Sequence, residues 1–158
     1  KLLEQLRRDR FARVQLPFGD THLAQLPDGP LLLLAAGTGM AQMHSLIEHC
    51  RAIGFAHPIH LYWGARRRED FYNLPHWADW QQMSNLQLHQ VVSEPENWSG
   101  RTGLLHQAVR EDFADLTGLQ VYASGSPAMI YATLDAFVEG GMAASQMRAD
   151  VFAYAPRS

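Results

Sequence analysis

The segment Leu31-Leu-Leu-Leu-Ala-Ala36 runs without a break into Gly37-Thr-Gly39 and then into a helical pattern. A strand exposed on one face alternates apolar and polar residues, and this one does not. It suits a strand buried on both faces, as in a parallel sheet covered by helices. The glycines permit a sharp turn and let the backbone come close to a ligand. A helix starting behind them directs its unpaired N–H groups at the turn, which favours an anion such as a pyrophosphate. The three-glycine dinucleotide fingerprint is incomplete, because Gln42 stands in the third place. A glycine-lined turn without a ligand is the alternative.

The rest of the chain repeats this unit. Met40, Met43, Ile47 and Cys50 recur at helical spacing and predict a helix over 40–53, stopped by Gly54. Ile59 to Trp63 reads as a second strand, ended by Gly64. Arg66 to Asp70 opens a charged helical turn that runs through Phe71 and Tyr72 until Pro75 breaks it; Trp77 and Trp80 fall in a short helix. Leu86 to Val92 is a third strand, followed by a loop with Trp98 and a helix over 103–113. Leu119 to Ala123 is a fourth strand, and Ser124-Gly-Ser-Pro127 is a second glycine turn after a strand. Ile130, Leu134, Phe137 and Val138 stripe the next helix, Gly140-Gly141 stops it, and 148–154 reads as a last strand. At the other end, Leu2, Leu3 and Leu6 suggest a short helix and Phe11, Val14 and Leu16 an extended segment; a connector over 21–30 ends in the turn Pro27-Asp-Gly-Pro30.

This alternation predicts an α/β fold: a doubly wound, five-stranded parallel sheet of order 3-2-1-4-5, Rossmann-like, with helices on both faces. Ligands of such sheets bind at the carboxyl ends of strands where the order reverses, here between the first and fourth strands. Both glycine turns converge on that point.

Composition narrows the partners. The 158 residues suffice for one domain with a full core, and a net charge of −3 offers nothing to nucleic acid or to an anionic membrane. No apolar run approaches the roughly 20 residues of a membrane span. Cys50 is the only cysteine, so no disulfide and no cysteine-ligated metal cluster forms within the chain. The eight histidines are scattered, and no metal site is expected. A reducing, cytoplasmic setting fits.

Five stretches together resemble the nicotinamide-binding half of the ferredoxin–NADP reductase superfamily, especially NAD(P)H:flavin oxidoreductases and the reductase components of oxygenase and deoxysugar systems. Arg13-Val-Gln-Leu-Pro-Phe-Gly19 is similar to the strand closing the family's flavin barrel. Ala36-Gly-Thr-Gly39 is similar to its pyrophosphate turn, and Leu61-Tyr-Trp-Gly-Ala-Arg66 to its second strand with the Gly-x-Arg that follows. Tyr122-Ala-Ser-Gly-Ser-Pro-Ala-Met129 resembles the Cys-Gly-Pro-x-x-Met turn beside the nicotinamide, and Asp150-Val-Phe152 the terminal acidic-x-aromatic motif. Ser124 stands where the family usually has cysteine.

The resemblance implies hydride transfer from NADH or NADPH to FAD or FMN, the flavin being held mainly by a barrel domain of the parent protein. It implies that 1–20 is the tail of that barrel, 21–30 a connector and 31–158 the NAD(P)-binding domain. A ferredoxin or an oxygenase is the implied protein partner. Gly37, Thr38, Gly39 and Met40 would cradle the pyrophosphate, and Gly64, Arg66 and Arg67 would meet the adenosine side. Ser124, Gly125, Ser126, Pro127 and Met129 would line the nicotinamide pocket. Ser124, Asp150 and Phe152 would flank the reacting atoms, with Ser124 positioning the ring rather than acting as a nucleophile. A bulky residue at Gly39 is expected to block the pyrophosphate and spare the fold. Arginines suit a 2′-phosphate and acids a free 2′-hydroxyl; the run Arg66 to Asp70 holds both, so NADH and NADPH stay open. Other readings of the same fold are a nucleotide-sugar or S-adenosylmethionine enzyme and a non-catalytic docking module. Trp63-Gly64 at the end of the second strand, in place of a ribose-binding acid, counts against a methyltransferase.

Overall fold

Leu31–Ala36 forms strand β1, and Leu31 to Ala35 have no solvent exposure at all. Burying each leucine contributes about 1.5–3 kcal/mol, so this one strand anchors the fold. The computed structural model describes residues 2–13, 21–23 and 25–157. Their order is α1 (Leu2–Asp9), β1, α2 (Met40–Ala52), β2 (Ile59–Ala65), α3 (Trp77–Trp80), β3 (Leu86–Val92), β4 (Arg101–Thr102), α4 (Leu105–Asp112), β5 (Gln120–Ser124), α5 (Pro127–Glu139), β6 (Met147–Arg148) and α6 (Val151–Tyr154). Single turns of 3-10 helix lie at Gly37–Gly39, Arg68–Asp70 and Ala144–Gln146.

All strand pairings are parallel, in the order β4-β3-β2-β1-β5-β6. Alternate residues of β1 feed two cores. Leu31, Leu33 and Ala35 pack with α2 and with Trp80 of α3, while Leu32 and Leu34 pack with α4 and α5. The chain leaves β1 toward β2 and leaves β5 toward β6, so the order reverses between β1 and β5.

Two expectations need correction. Among the described residues the sheet has six strands, not five, because Arg101–Thr102 adds a short edge beside Val91 and Val92. Two residues are too few to leave a period in the sequence. The predicted strand over 148–154 ends at Arg148; Asp150 then starts a helical turn, its carbonyl accepting from the Ala153 N–H at 3.0 Å. Val151 is buried and Phe152 half-buried on the same core, which an alternating reading of so short a run cannot tell from a strand. The charged turn after β2 is also shorter than predicted, since Phe71 is already extended. The expected extended segment from Phe11 to Leu16 falls partly, at Val14 and Leu16, outside the described residues, as does most of Arg13 to Gly19.

The Glu48 carboxylate ties α2 to α3. Glu48 pairs with Arg51 at 2.7 Å and accepts the indole N–H of buried Trp80 at 2.7 Å. Arg51, then Trp80, hold the Glu48 carboxyl down to about 2, against an ordinary 4.5. The folded value lies below the unfolded one, so this contribution is complete above pH 4.5 and fades as pH falls toward 2. An NMR titration of the Glu48 carboxyl is expected to show a midpoint near 2. A midpoint near 4.5 would mean that the Arg51 and Trp80 bonds are not held in solution.

Candidate nucleotide-binding cleft

The carboxyl ends of the central strands open on a cleft of about 440 Å³. Ala36 and Gly37 form its wall after β1, Gly64 to Arg66 after β2, and Val91 and Ser93 at the end of β3. Leu104 and Leu105 of α4 and Met129 of α5 cover the apolar side. Neighbouring strands lie about 4.8 Å apart, so the cleft spans roughly 10 Å across the ends of β3, β2 and β1, and neither Ser124 nor Gly125 after β5 lines it.

The two glycine turns touch. A Cβ at Gly39 would lie 2.9 Å from Ser124 Oγ and closer still to the Ser124 carbonyl. A Cβ at Gly125 would lie 3.1 Å from the Cβ of Ala36 and 3.0 Å from Met129 Sδ. Gly39 therefore serves close packing of turn on turn. Gly37 is different: its φ is +54°, and nothing lies within 4 Å of where its Cβ would be. It holds a left-handed turn and faces open space in the cleft. Gly64 is filled against Leu105, whose side chain reaches within 2.8 Å of the absent Cβ.

The sequence-derived site residues separate into groups. Gly37, Gly64, Arg66 and Met129 line the main cleft. Thr38 is exposed in the 3-10 turn, and α2 begins without a side-chain cap. Met40 does not face the cleft: its side chain is fully buried against α2's core partners, and its N–H bonds the Gly37 carbonyl. The start of α2 is continuous with the 3-10 turn, which uses that amide internally. Ser124 and Gly125 are half-buried at the turn after β5. Ser126 caps α5 by accepting from the Met129 N–H at 3.3 Å, and Pro127 occupies the first turn, where a missing N–H costs nothing. These two residues aim α5 and do not line the cleft.

Asp150 and Phe152 line a separate depression with Thr21 and Arg148. Asp150 accepts from Gln42 Nε2 at 3.1 Å, joining α2 to the terminal segment. Gln42, which occupies the place of the third glycine, thus has a structural partner. Phe152 packs on Tyr131 of α5 at 5.7 Å between ring centroids.

The sequence placed Asp70 in the charged run at the ribose side but did not single out Ser93 and Leu104, which line the cleft, or Glu94 beside it. Asp70 closes the turn after β2 by accepting the Arg67 N–H at 3.0 Å. Glu94, just beyond β3, binds both arginines: Oε1 accepts from Arg66 Nε at 3.0 Å and Nη2 at 2.6 Å, and Oε2 accepts from Arg67 Nε at 3.2 Å. These partners, Arg66 first, hold its carboxyl below the usual range. Arg67 lines only a shallow recess beside the cleft, shared with Arg66 and Asp70. No helix among the described residues is long and apolar enough to cross a membrane.

The model of the oxidoreductase NAD-binding domain matches residues 33–135. An NAD(P)H-flavin reductase of Vibrio harveyi is 36% identical over 154 residues, covering 94% of this chain and 64% of that protein. A CDP-6-deoxy-L-threo-D-glycero-4-hexulose-3-dehydrase reductase of Yersinia pestis is 34% identical over 154 residues, covering 96% of this chain and 46% of the relative. The crystal structure of an Amycolatopsis cytochrome P450 reductase superposes with a TM-score of 0.74 at 27% identity, over 84% of this chain and 41% of that one. The chain thus spans from under half to just under two thirds the length of these relatives. Together with the cleft at the carboxyl ends of β1 to β3, the match from Leu33 through Asp135 shows that the chain belongs to the oxidoreductase NAD-binding domain family of the ferredoxin–NADP reductase superfamily.

Proposed function

We propose that this chain is the pyridine-nucleotide domain of a flavin-dependent reductase that passes electrons from NADH or NADPH to FAD or FMN. The observation that carries the reading is the cleft itself. It lies at the carboxyl ends of β1, β2 and β3, beside the point where the strand order reverses, with a left-handed glycine of the β1 turn facing its open space. In this reading 31–158 is the nucleotide domain, 21–30 a connector and 1–20 the end of a flavin domain, and the greater length of the relatives leaves room for such a domain. A sugar dehydrase or a cytochrome P450 is the class of electron acceptor that these relatives' names suggest, beside the ferredoxin or oxygenase that the sequence resemblance implies, and a cytoplasmic setting is part of the proposal.

The residues fit a dinucleotide. Gly37, Thr38 and Gly39 would hold the pyrophosphate, with Gly37 leaving room for it. Gly64 and the arginine turn would take the adenosine end, near β2 and β3. Ser124, Gly125 and Met129 would receive the nicotinamide beside β5. The bound nicotinamide supplies the hydride; the protein's part is to orient the ring and keep it still. Ser124 would position it, since hydride transfer needs no covalent intermediate and so no nucleophile. Asp150 and Phe152 stand on the terminal segment that Gln42 and Tyr131 anchor, and would face the flavin.

Gly37→Asn tests the site. Asparagine tolerates the left-handed backbone, so the fold is retained. Its side chain enters the open space of the cleft. Calorimetric titration is expected to show NADH affinity lowered at least ten-fold, or about 1.4 kcal/mol. Undiminished binding to a folded Gly37→Asn protein would overturn the assignment.

A further inference from the structure

We infer that Glu94 makes this cleft an NADH site, by occupying the arginine donors that a 2′-phosphate would need. This inference rests on the reading of the cleft as a nucleotide site and deepens it to the choice of cofactor.

Arg66 and Arg67 sit side by side at the rim after β2. A pair of guanidinium groups there is what a phosphate on the adenosine ribose requires. In this structure both are engaged. The two oxygens of Glu94 take three of their N–H groups, at 2.6, 3.0 and 3.2 Å. The carboxylate lies where an incoming phosphate would have to lie to gain the same bonds. Asp70 adds a second negative charge, fixed by the Arg67 N–H. With Arg68 and Glu69 of the same turn counted, three arginines and three acids leave this rim with no net positive charge. A doubly charged phosphate would have to displace Glu94 and then remain beside it and Asp70. A neutral 2′-hydroxyl can instead donate to a carboxylate with no rearrangement.

Glu94 is held there by the main chain as well. Its N–H bonds the Arg66 carbonyl at 2.7 Å, and the Ser93 N–H bonds the Ala65 carbonyl at 3.1 Å. These bonds extend the β2–β3 ladder past its last pair, Ala65 with Val92. They do not involve the carboxylate. The loop therefore keeps its path when the side chain is changed, and Glu94→Gln removes charge with little change in shape.

The test is calorimetric titration of the 158-residue chain with NADH and with NADPH, in wild type, Glu94→Gln, and Glu94→Gln combined with Arg66→Ala and Arg67→Ala. Wild type is expected to bind NADH at least ten-fold more tightly than NADPH. Glu94→Gln is expected to move the NADPH-to-NADH affinity ratio toward NADPH by ten-fold or more. The gain should shrink as salt is raised, as exposed charge pairs do. Removing both arginines from the Glu94→Gln protein should erase it. A merely structural Glu94 would weaken both nucleotides together and leave the ratio unchanged, and that result overturns the inference. Wild type preferring NADPH would overturn it too. Binding of neither nucleotide to the folded wild-type chain would reject the nucleotide site itself, and this inference with it.

Discussion

Gly39→Ala is expected to lower the melting temperature by roughly 10 °C, the largest effect of any single methyl group in the cleft. The added Cβ would lie 2.7 Å from the Ser124 carbonyl carbon and 2.9 Å from its Oγ. The obstacle is mainly backbone, which cannot rotate aside as a long side chain can. Relief requires the turns after β1 and β5 to part, and those strands are paired along their length. Overpacking of this kind costs about 3 kcal/mol. Gly39→Val carries two more carbons into the same contact. The expectation that a bulky residue at 39 spares the fold is therefore corrected: nucleotide loss in such a variant would report unfolding as much as blockage. Thermal unfolding followed by circular dichroism decides it. A Gly39→Ala protein melting with wild type would show that the turns are more loosely apposed than the contact implies.

The second large effect is expected at Asp112→Ala. Tyr62 has no solvent exposure, and its hydroxyl donates to Asp112 at the end of α4. Arg101 of β4 pairs with the same carboxylate and, at 2.7 Å, with Glu111. His89 of β3 stacks on the Tyr62 ring at 4.3 Å between centroids. Alanine at 112 strands the Tyr62 hydroxyl in the core and frees the edge strand. The cost is about 2 kcal/mol, a lost charged hydrogen bond, moderated because the carboxylate is partly solvated. Arg101, ahead of Tyr62, holds the Asp112 carboxyl below its ordinary 3.8. A depressed folded value means that this stability is complete above that ordinary value and lost as pH falls below it. The stability gap between wild type and Asp112→Ala, from urea unfolding, should therefore be constant from pH 6 to 8 and narrow in acid. A gap that widens in acid would show that the carboxylate is not the stabilising form.

The central strands were legible because their signal is compositional. A strand buried on both faces must be apolar throughout, and Leu31 to Ala36 is; its two neighbours end in glycine or turn residues. The edges were not legible. Arg101–Thr102 and Met147–Arg148 each rest on two residue pairs fixed by the rest of the sheet. The approach of the glycine turns was legible from strand order alone, because the reversal point is a matter of topology. The division of labour within them was not. Gly37 and Gly39 look alike in sequence, yet one holds a left-handed turn in open space and the other lies against Ser124. Glu94 was hidden for a different reason. It is 28 residues from Arg66, and only the parallel pairing of β2 with β3 brings them together.

The sheet ends on both sides in a strand of two residues. An exposed edge is where one chain recruits another, by offering a row of free N–H and carbonyl groups as a template. Here β4 covers only Val91 and Val92 of β3, so the outer side of Leu86 to Gln90 has no strand beside it among the described residues, and Arg101 places a charge at the end of that row. Growth by adding a strand from a second molecule is therefore opposed at β6 by shortness and at β3 only by the charge of Arg101, so strand exchange between native copies of this chain should start at Leu86 to Gln90.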